Sequence, residues 1–220
     1  MGGALSETEN GLAEVQLALG QQALDRGEHD AALGWFRTAA RSGDARAYNM
    51  LGRCFECGWG VEPDPAQAAS YYTHAAEAGE VWAMFNLADL YGRGHGLPED
   101  AGRALELYIE AARRGHGKSL NMIGLMHEDG RAVARDREAA RDFYRAGADS
   151  GDCWAEFNLS RLLIEDGAVE AALPLLERTL ASGFPDFWNG LARALGGHGD
   201  IRLQAFLARL ENFRQGETCS

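Results

Sequence analysis

The sequence has 220 residues, of which 46% are hydrophobic, and it carries a formal net charge of −12 with a pI of about 4.9. This acidity disfavours a general nucleic-acid or anionic-membrane surface, because such a surface needs a positive field. No apolar run is long enough to span a bilayer, so we expect a chain that buries a sizeable core without membrane insertion.

The chain opens with a polar stretch at residues 1–10 that lacks the basic start and apolar run of a signal peptide, so we predict a flexible lead-in. Residues 11–42 come next, with helical spacing of apolar residues on both sides of a short turn. This segment predicts a first helical hairpin. The four cysteines lie at irregular places, which suits a reducing compartment, and we expect a cytoplasmic protein.

From Gly43 onward the sequence repeats every 36 residues, and Gly79, Gly115 and Gly151 open the later copies. A fixed period of roughly 20–50 residues is typical of stacked-repeat architectures. In such an architecture each repeat contacts mainly its neighbours. The repeat therefore predicts one elongated unit over residues 11–213.

The first copy has the pattern of a helical hairpin. Leu51 and Phe55 lie about one helical turn apart, and Gly52 beside them allows a neighbouring helix to approach closely. After a glycine-rich turn, Asp64 and Pro65 predict the N-cap and the first residue of the second helix. A C-cap glycine would end that helix.

The fourth copy and the last lack the long glycine loop, and Pro174 in the fourth predicts a kink or a late start in its helix. We expect twelve helices in six hairpins, followed by a flexible tail at residues 214–220. The hairpins are predicted at residues 11–42, 43–78, 79–114, 115–150, 151–182 and 183–213.

A family resemblance rests on residues that recur through 43–150. In the first copy they are Ala47, Leu51, Gly52, Phe55, Gly58, Gly60, Val61, Asp64, Ala68, Tyr71, Tyr72, Ala75, Ala76 and Gly79. This pattern resembles the Sel-one-like repeat (SLR), a subfamily of the tetratricopeptide (TPR)-like repeats. The resemblance implies an all-α, right-handed α-solenoid of about six hairpins that serves as an adaptor or scaffold, and it implies no enzyme activity. His127 departs from the pattern, because it replaces the first-helix aromatic residue of the third copy.

Twenty of the 21 basic residues are Arg, with Lys118 as the exception, and this usage favours a GC-rich, bacterial genome.

Three features are candidates for reaction or metal sites. Cys54 and Cys57 form a C-x-x-C, but the second ligand pair of a zinc site is absent, so we interpret them as structural and leave a redox or metal role open. The glycine-rich segment 92–96 resembles a phosphate-binding loop, yet it follows a predicted helix and lacks the Lys-Ser/Thr pair. The six histidines are scattered. We predict no catalytic residue, no metal site and no cofactor.

The remaining candidate is the concave groove that the first helices of stacked hairpins line. Positions that do not pack should face a ligand there. The predicted peptide-binding residues are Arg46, Arg53, Trp82, Asn86, Arg93, Lys118, Met122, Trp154, Asn158 and Arg161, and the same spacing adds Met50, Cys57, Asp89, Leu125, Asp129 and Glu165. Arg and Trp often dominate binding energy, and Arg pairs bidentately with carboxylates. The set favours an acidic or C-terminal peptide; the alternative is a solvated face with Trp82 and Trp154 packed between hairpins.

We therefore expect a non-catalytic adaptor that binds a protein or peptide segment in its concave groove. The alternative is an accessory regulatory subunit that docks an enzyme through its convex face or through the loops at 58–63 and 94–99. An enzyme would need a pocket with a cluster of titratable residues, which the sequence does not indicate. No nucleic-acid partner is expected.

Overall fold

The computed structural model describes residues 7–217, with side-chain surroundings for residues 11–214. This part of the chain contains twelve α-helices and no strand. The helices are α1 (Glu7–Asp25), α2 (His29–Ala40), α3 (Ala45–Cys57), α4 (Pro65–Glu77), α5 (Val81–Arg93), α6 (Ala101–Arg113), α7 (Gly117–Asp129), α8 (Arg137–Asp149), α9 (Cys153–Glu165), α10 (Val169–Ser182), α11 (Pro185–Leu195) and α12 (Ile201–Glu217). None of the described helices is long and apolar enough to cross a bilayer.

The helices pair as the repeat predicts, from α1 with α2 through to α11 with α12. The predicted bounds of the first and last helices are wrong. α1 begins at Glu7, four residues before the predicted start, and α12 ends at Glu217, four residues after the predicted end. Hydrophobic spacing does not detect a polar helical turn, which is why both extensions were missed. The rest of the predicted lead-in 1–10 and tail 214–220 lies outside the described residues.

The chain forms two compact units, one that ends at His116 and one that begins at Gly117. In the first unit α2 packs on α3, and α4 packs on α5. In the second unit α8 packs on α9, and α10 packs on α12. Within each unit the helices contact near neighbours in sequence, as in a repeat protein. The single solenoid over residues 11–213 stays a prediction.

Side-chain caps and glycines form the loops of the 36-residue copies. Asp64, Asp100 and Asp136 are the N-caps of α4, α6 and α8, and their carboxylates accept backbone N–H bonds of 2.9–3.0 Å. Gly58 and Gly94 follow α3 and α5 with φ of 74° and 64°, in the left-handed region that favours glycine. These caps fix where each second helix begins and therefore its register against the first helix.

The helix that contains Pro174 starts early. α10 begins at Val169, five residues before the proline, so the predicted late start is wrong. Pro174 is exposed, whereas Leu176 on the same helix is fully buried. The helix loses one backbone donor at the proline but keeps its apolar face.

A glycine in the first helix lies directly against an aromatic ring in the second. A Cβ added at Gly52 would lie 2.5 Å from the ring of Tyr72, and a Cβ added at Gly124 would lie 2.5 Å from the ring of Tyr144. Both rings are fully buried. The predicted close approach at Gly52 is confirmed.

Gly52→Ala tests this contact. The added Cβ would displace a buried ring, so we expect the free energy of unfolding to fall by about 1–3 kcal/mol, less the ~0.5–1 kcal/mol that Ala contributes to helix propensity. Gly34→Ala in α2 is the matched control, because nothing lies within 4 Å of its added Cβ. The control should gain up to about 1 kcal/mol. Urea denaturation measures both variants, and equal stabilisation of the two would contradict the contact.

Candidate functional site on the first helices of the hairpins

In the first unit an amide pair joins the first helices of two successive hairpins. The Nδ2 of Asn86 on α5 donates a hydrogen bond to the Oδ1 of Asn49 on α3, at 2.9 Å. The Nδ2 of Asn49 and the Oδ1 of Asn86 make no further hydrogen bond to the described residues. The pair therefore has one donor group and one acceptor without a partner among the described residues, on the buried Asn49 and the half-buried Asn86 respectively.

Trp82 lies one turn before Asn86 on the same face of α5. Its side chain is 47% exposed. The indole packs edge-on against His116 with ring centroids 4.5 Å apart, and His116 is buried beside Phe85. Trp82 therefore has both of the predicted environments: its ring packs against His116, and about half of its surface is exposed to solvent.

Carboxylates of the protein pair with two of the predicted cations of this unit. Arg46 lies 2.8 Å from Asp44, the N-cap of α3. Arg93 lies 3.0 Å from Glu56 on α3 and 2.5 Å from Asp89 on its own helix. These two arginines therefore present much less free charge to a ligand than their positions suggested.

Arg53 has a different environment. Its guanidinium carbon lies 4.9 Å from the ring centroid of Trp59, a cation–π geometry. It forms no ion pair with the residues that the structure describes. The five N–H donors of Arg53 make no hydrogen bond to the described residues.

The second unit carries an equivalent arrangement. Asn158 of α9 donates from Nδ2 to the Oδ1 of Asn121 on α7, at 2.8 Å. Trp154 lies one turn before Asn158 and is 42% exposed. Its ring packs edge-on against Phe187 at 4.8 Å and against the exposed Phe184 at 6.4 Å.

The predicted cation of α9 is also paired. Arg161 lies 2.6 Å from Glu128 on α7 and 2.9 Å from Glu165 on its own helix. Lys118 is exposed near the start of α7, and Met122 is half-buried one turn later. All ten predicted groove residues thus lie on the first helices α3, α5, α7 and α9. Their role in binding stays a prediction.

The arrangement recurs with a period of 72 residues, twice the length of one repeat. The matching identities are Asn49 and Asn121, Met50 and Met122, Glu56 and Glu128, Tyr72 and Tyr144, Trp82 and Trp154, Phe85 and Phe157, and Asn86 and Asn158. Each amide pair takes its members from adjacent hairpins, so the smallest complete site needs two hairpins. A search at the double period would have found Asn49, Asn121, Glu56 and Glu128, which the single-repeat spacing missed.

A buried tyrosine of the second helix orients the glutamate of the first. Tyr144 donates its hydroxyl to Glu128 at 2.7 Å, and Tyr72 donates to Glu56 at 2.7 Å. Burial opposes ionisation of Glu128, but hydrogen bonds from Arg161 and Tyr144 outweigh it and lower the pKa of Glu128 below its ordinary value of 4.5. Burial and the adjacent carboxylate raise the pKa of Tyr144. Each glutamate therefore links its own hairpin to the first helix of the next.

The C-x-x-C cysteines are free thiols on the last turns of α3. Cys54 is fully buried, and burial raises the pKa of its thiol to about 12. A raised pKa disfavours the thiolate, which is the form that attacks or binds metal. Among the described residues no three His, Cys, Asp or Glu side chains lie close enough together to hold a metal ion.

The chain matches the sequence pattern of the Sel1 repeat at residues 13–44, 45–80, 83–116 and 117–152. A search of curated proteins gave no match.

Solved structures of bacterial proteins are similar to this chain. A Sel1 repeat protein from Oxalobacter formigenes has a TM-score of 0.79 and 23% identity over 93% of this chain and 88% of its own. A protective antigen present in uropathogenic Escherichia coli strains, which displays an SLR fold, has a TM-score of 0.71 and 27% identity over 96% of this chain. The match covers 47% of that antigen, so this chain spans about half its length. An immunity protein from Pseudomonas aeruginosa has a TM-score of 0.60 and 17% identity over 94% of this chain and 82% of its own.

These likenesses confirm the predicted fold class, an all-α solenoid of TPR/SLR type. The bacterial origin of the three proteins agrees with the source that the Arg usage favours.

Tyr144→Phe tests whether the hydroxyl of Tyr144 supports Glu128, the glutamate that binds the next hairpin. It removes the hydroxyl bound to Glu128 but keeps the ring, so we expect a loss of about 1.5–3 kcal/mol in unfolding free energy at neutral pH. The folded-state pKa of Glu128 is lowered, so the stability it contributes is present above 4.5 and is lost as pH falls through the folded value. The penalty should therefore shrink in acid.

Tyr71→Phe is the control, because the Tyr71 hydroxyl makes no hydrogen bond to the described residues. Urea denaturation at neutral and acidic pH compares the two variants. A penalty for Tyr144→Phe no larger than that of the control would show that the hydroxyl does not support Glu128.

Proposed function

The chain belongs to the Sel1 repeat family, whose members generally mediate protein–protein interactions, and on that basis we propose that it is a non-catalytic adaptor. In this proposal it binds an extended segment of a partner protein on the first helices of its hairpins, within a concave groove. Each unit contributes its own face.

The observation that best supports the proposal is a half-exposed tryptophan one turn before a cross-hairpin amide pair, found in both units. Leaving large apolar surface in water is unfavourable, at roughly 25 cal/mol per Å². Trp is also among the residue types that most often dominate binding energy at interfaces. Trp82 and Trp154 therefore mark the faces on which a partner would recover that free energy.

The proposed ligand is an extended peptide that stacks a side chain on the tryptophan and pairs its backbone with the amides. A carboxylate of that segment, from an acidic side chain or a C-terminus, would pair with Arg53. The other arginines of the set are engaged with carboxylates of the protein. Aromatic and amide contacts should therefore contribute more to affinity than charge.

The loops support a second hypothesis, an accessory subunit that docks an enzyme. A Cβ added at Gly60 would lie 2.6 Å from the carbonyl of His29, and a Cβ added at Gly96 would lie 2.3 Å from the backbone of Pro65. Each loop thus packs tightly on the start of the second helix before it. A loop held in one conformation loses little entropy when it docks.

We also propose a cytoplasmic location. The thiols of Cys54 and Cys153 are free and buried, which suits a compartment that keeps thiols reduced.

Peptides selected by display on the wild-type protein test the groove. We expect Trp82→Ala or Trp154→Ala to weaken the tightest peptide by about 30-fold or more, the effect of a hot-spot residue, as measured by calorimetry. Trp35→Ala is the matched control, because Trp35 is 38% exposed on the second helix α2. It should leave the Kd unchanged within about two-fold.

Two further changes separate the hypotheses. Arg53→Glu should weaken peptides that carry a carboxylate and spare their amidated counterparts. Peptides whose Kd neither tryptophan variant changes would contradict the groove proposal, provided that the helicity of the variants is intact. Binding lost only on substitution within the loops 58–63 and 94–99 would favour the docking hypothesis.

A further inference from the structure

The second helices of the first unit enclose a crevice that is distinct from the first-helix face. α4 and α6 form its walls, α5 forms its floor, and its volume is about 260 Å³. Since one water occupies about 30 Å³ of liquid, this volume admits a long side chain. Met84, Leu87 and Leu107 line the deep part and are 4%, 4% and 9% exposed.

The rim of the crevice carries three acids and one base, Arg103. Glu77 stands on α4, and Glu106 and Glu110 stand on α6. Glu106 pairs with Arg103 at 2.8 Å, and Glu110 pairs with Arg114 at 2.8 Å, both along the exposed surface of α6. Glu77 makes no ion pair with the described residues. An apolar floor below a carboxylate rim matches a side chain with an aliphatic stem and a cationic end.

In the second unit an arginine of the protein lies in the equivalent place, and its cation reaches the floor because Glu156 stands there, where the first unit has Met84. Arg178 of α10 donates to the Oε1 of Glu156 on α9 at 2.7 Å and to the carbonyl of Ala148 on α8 at 2.8 Å. Ala148 and Glu156 lie 72 residues after Ala76 and Met84, which line the crevice of the first unit. Arg178 thus extends from one wall, α10, and contacts both the floor, α9, and the opposite wall, α8.

The first unit has the opposite charge at the position of that arginine. Tyr108 of α6 and Leu176 of α10 occupy the same buried position in their helices, so we align the two helices at these residues. Two residues later, α10 carries Arg178 and α6 carries Glu110. The second unit therefore supplies the cation itself, whereas the first unit presents a carboxylate.

We propose that the crevice between α4 and α6 binds an Arg or Lys side chain from a basic segment of a partner protein. The aliphatic stem would lie on Met84 and Leu87, and the cation would pair chiefly with Glu77, since Glu106 and Glu110 are already paired with Arg103 and Arg114. A second copy of this chain is disfavoured as the occupant, because two surfaces of a protein with net charge −12 repel each other. The proposal does not depend on the groove.

Methionine ε-methyl NMR locates the binding, since Met84 reports the crevice while Met50 and Met122 report the first-helix face; Met84→Leu assigns the crevice signal. The probe is a capped peptide of about twelve residues that carries Arg among Ala and Leu, a length at which an isolated helix is marginal. Its counterparts replace each Arg by Gln or by Glu. We expect the Arg peptide to shift the Met84 signal saturably, and the Gln and Glu peptides to leave it in place.

Glu77→Lys combined with Glu106→Lys should weaken this binding at least about five-fold, by removing two rim carboxylates. Glu28→Lys combined with Glu62→Lys is the matched control, because it makes the same change in net charge at two exposed acids elsewhere in the first unit. An Arg peptide that leaves Met84 unshifted would overturn the proposal. So would equal weakening by both double variants, or an equal response to the Glu peptide. A shift confined to Met50 or Met122 would also overturn it, while supporting the groove.

Discussion

The packing of three of the hairpins depends on the close approach of a glycine in the first helix to an aromatic ring in the second. A Cβ at these glycines would lie within 2.3–2.5 Å of the ring, so only a residue without a side chain lets the two helices meet at this distance. The contact joins Gly20 to Phe36, Gly52 to Tyr72, and Gly124 to Tyr144. Because the ring is fixed there, the tyrosine hydroxyl reaches the glutamate four residues beyond the glycine, on the next turn of the first helix.

The same glutamate limits the positive charge that the first helices expose, because it pairs with an arginine. Glu56 binds Arg93, and Glu128 binds Arg161, each across to the first helix of the following hairpin. Charge-assisted bonds of this kind are short and hold both side chains in place. The arginines that looked like ligands for an acidic peptide therefore join hairpins. Aromatic surface and amide groups are left as the main chemistry of the face, with Arg53 as an added cation.

Sequence reasoning was strongest where one repeat contains all of the information. The helices, the Asp64 cap and the small residue at Gly52 follow from spacing and local backbone chemistry. It was weaker at polar helix ends, where apolar spacing has nothing to detect. It also missed Asn49 and Glu56, because each acts through a partner in the next hairpin. A contact between repeats cannot be read from a pattern that treats every repeat as the same.

The double period also shows where the two units differ. Both keep the tryptophan and the amide pair, but Asn86 of the first pair is half-buried, whereas both asparagines of the second pair are buried. The charges beside them change: Asp89 and Arg93 of α5 correspond to Arg161 and Glu165 of α9, in reversed order. Arg53, which forms no ion pair with the described residues, corresponds to the half-buried Leu125. Under the proposed function, a partner that fills both faces would therefore carry a carboxylate beside the first tryptophan and an apolar side chain beside the second.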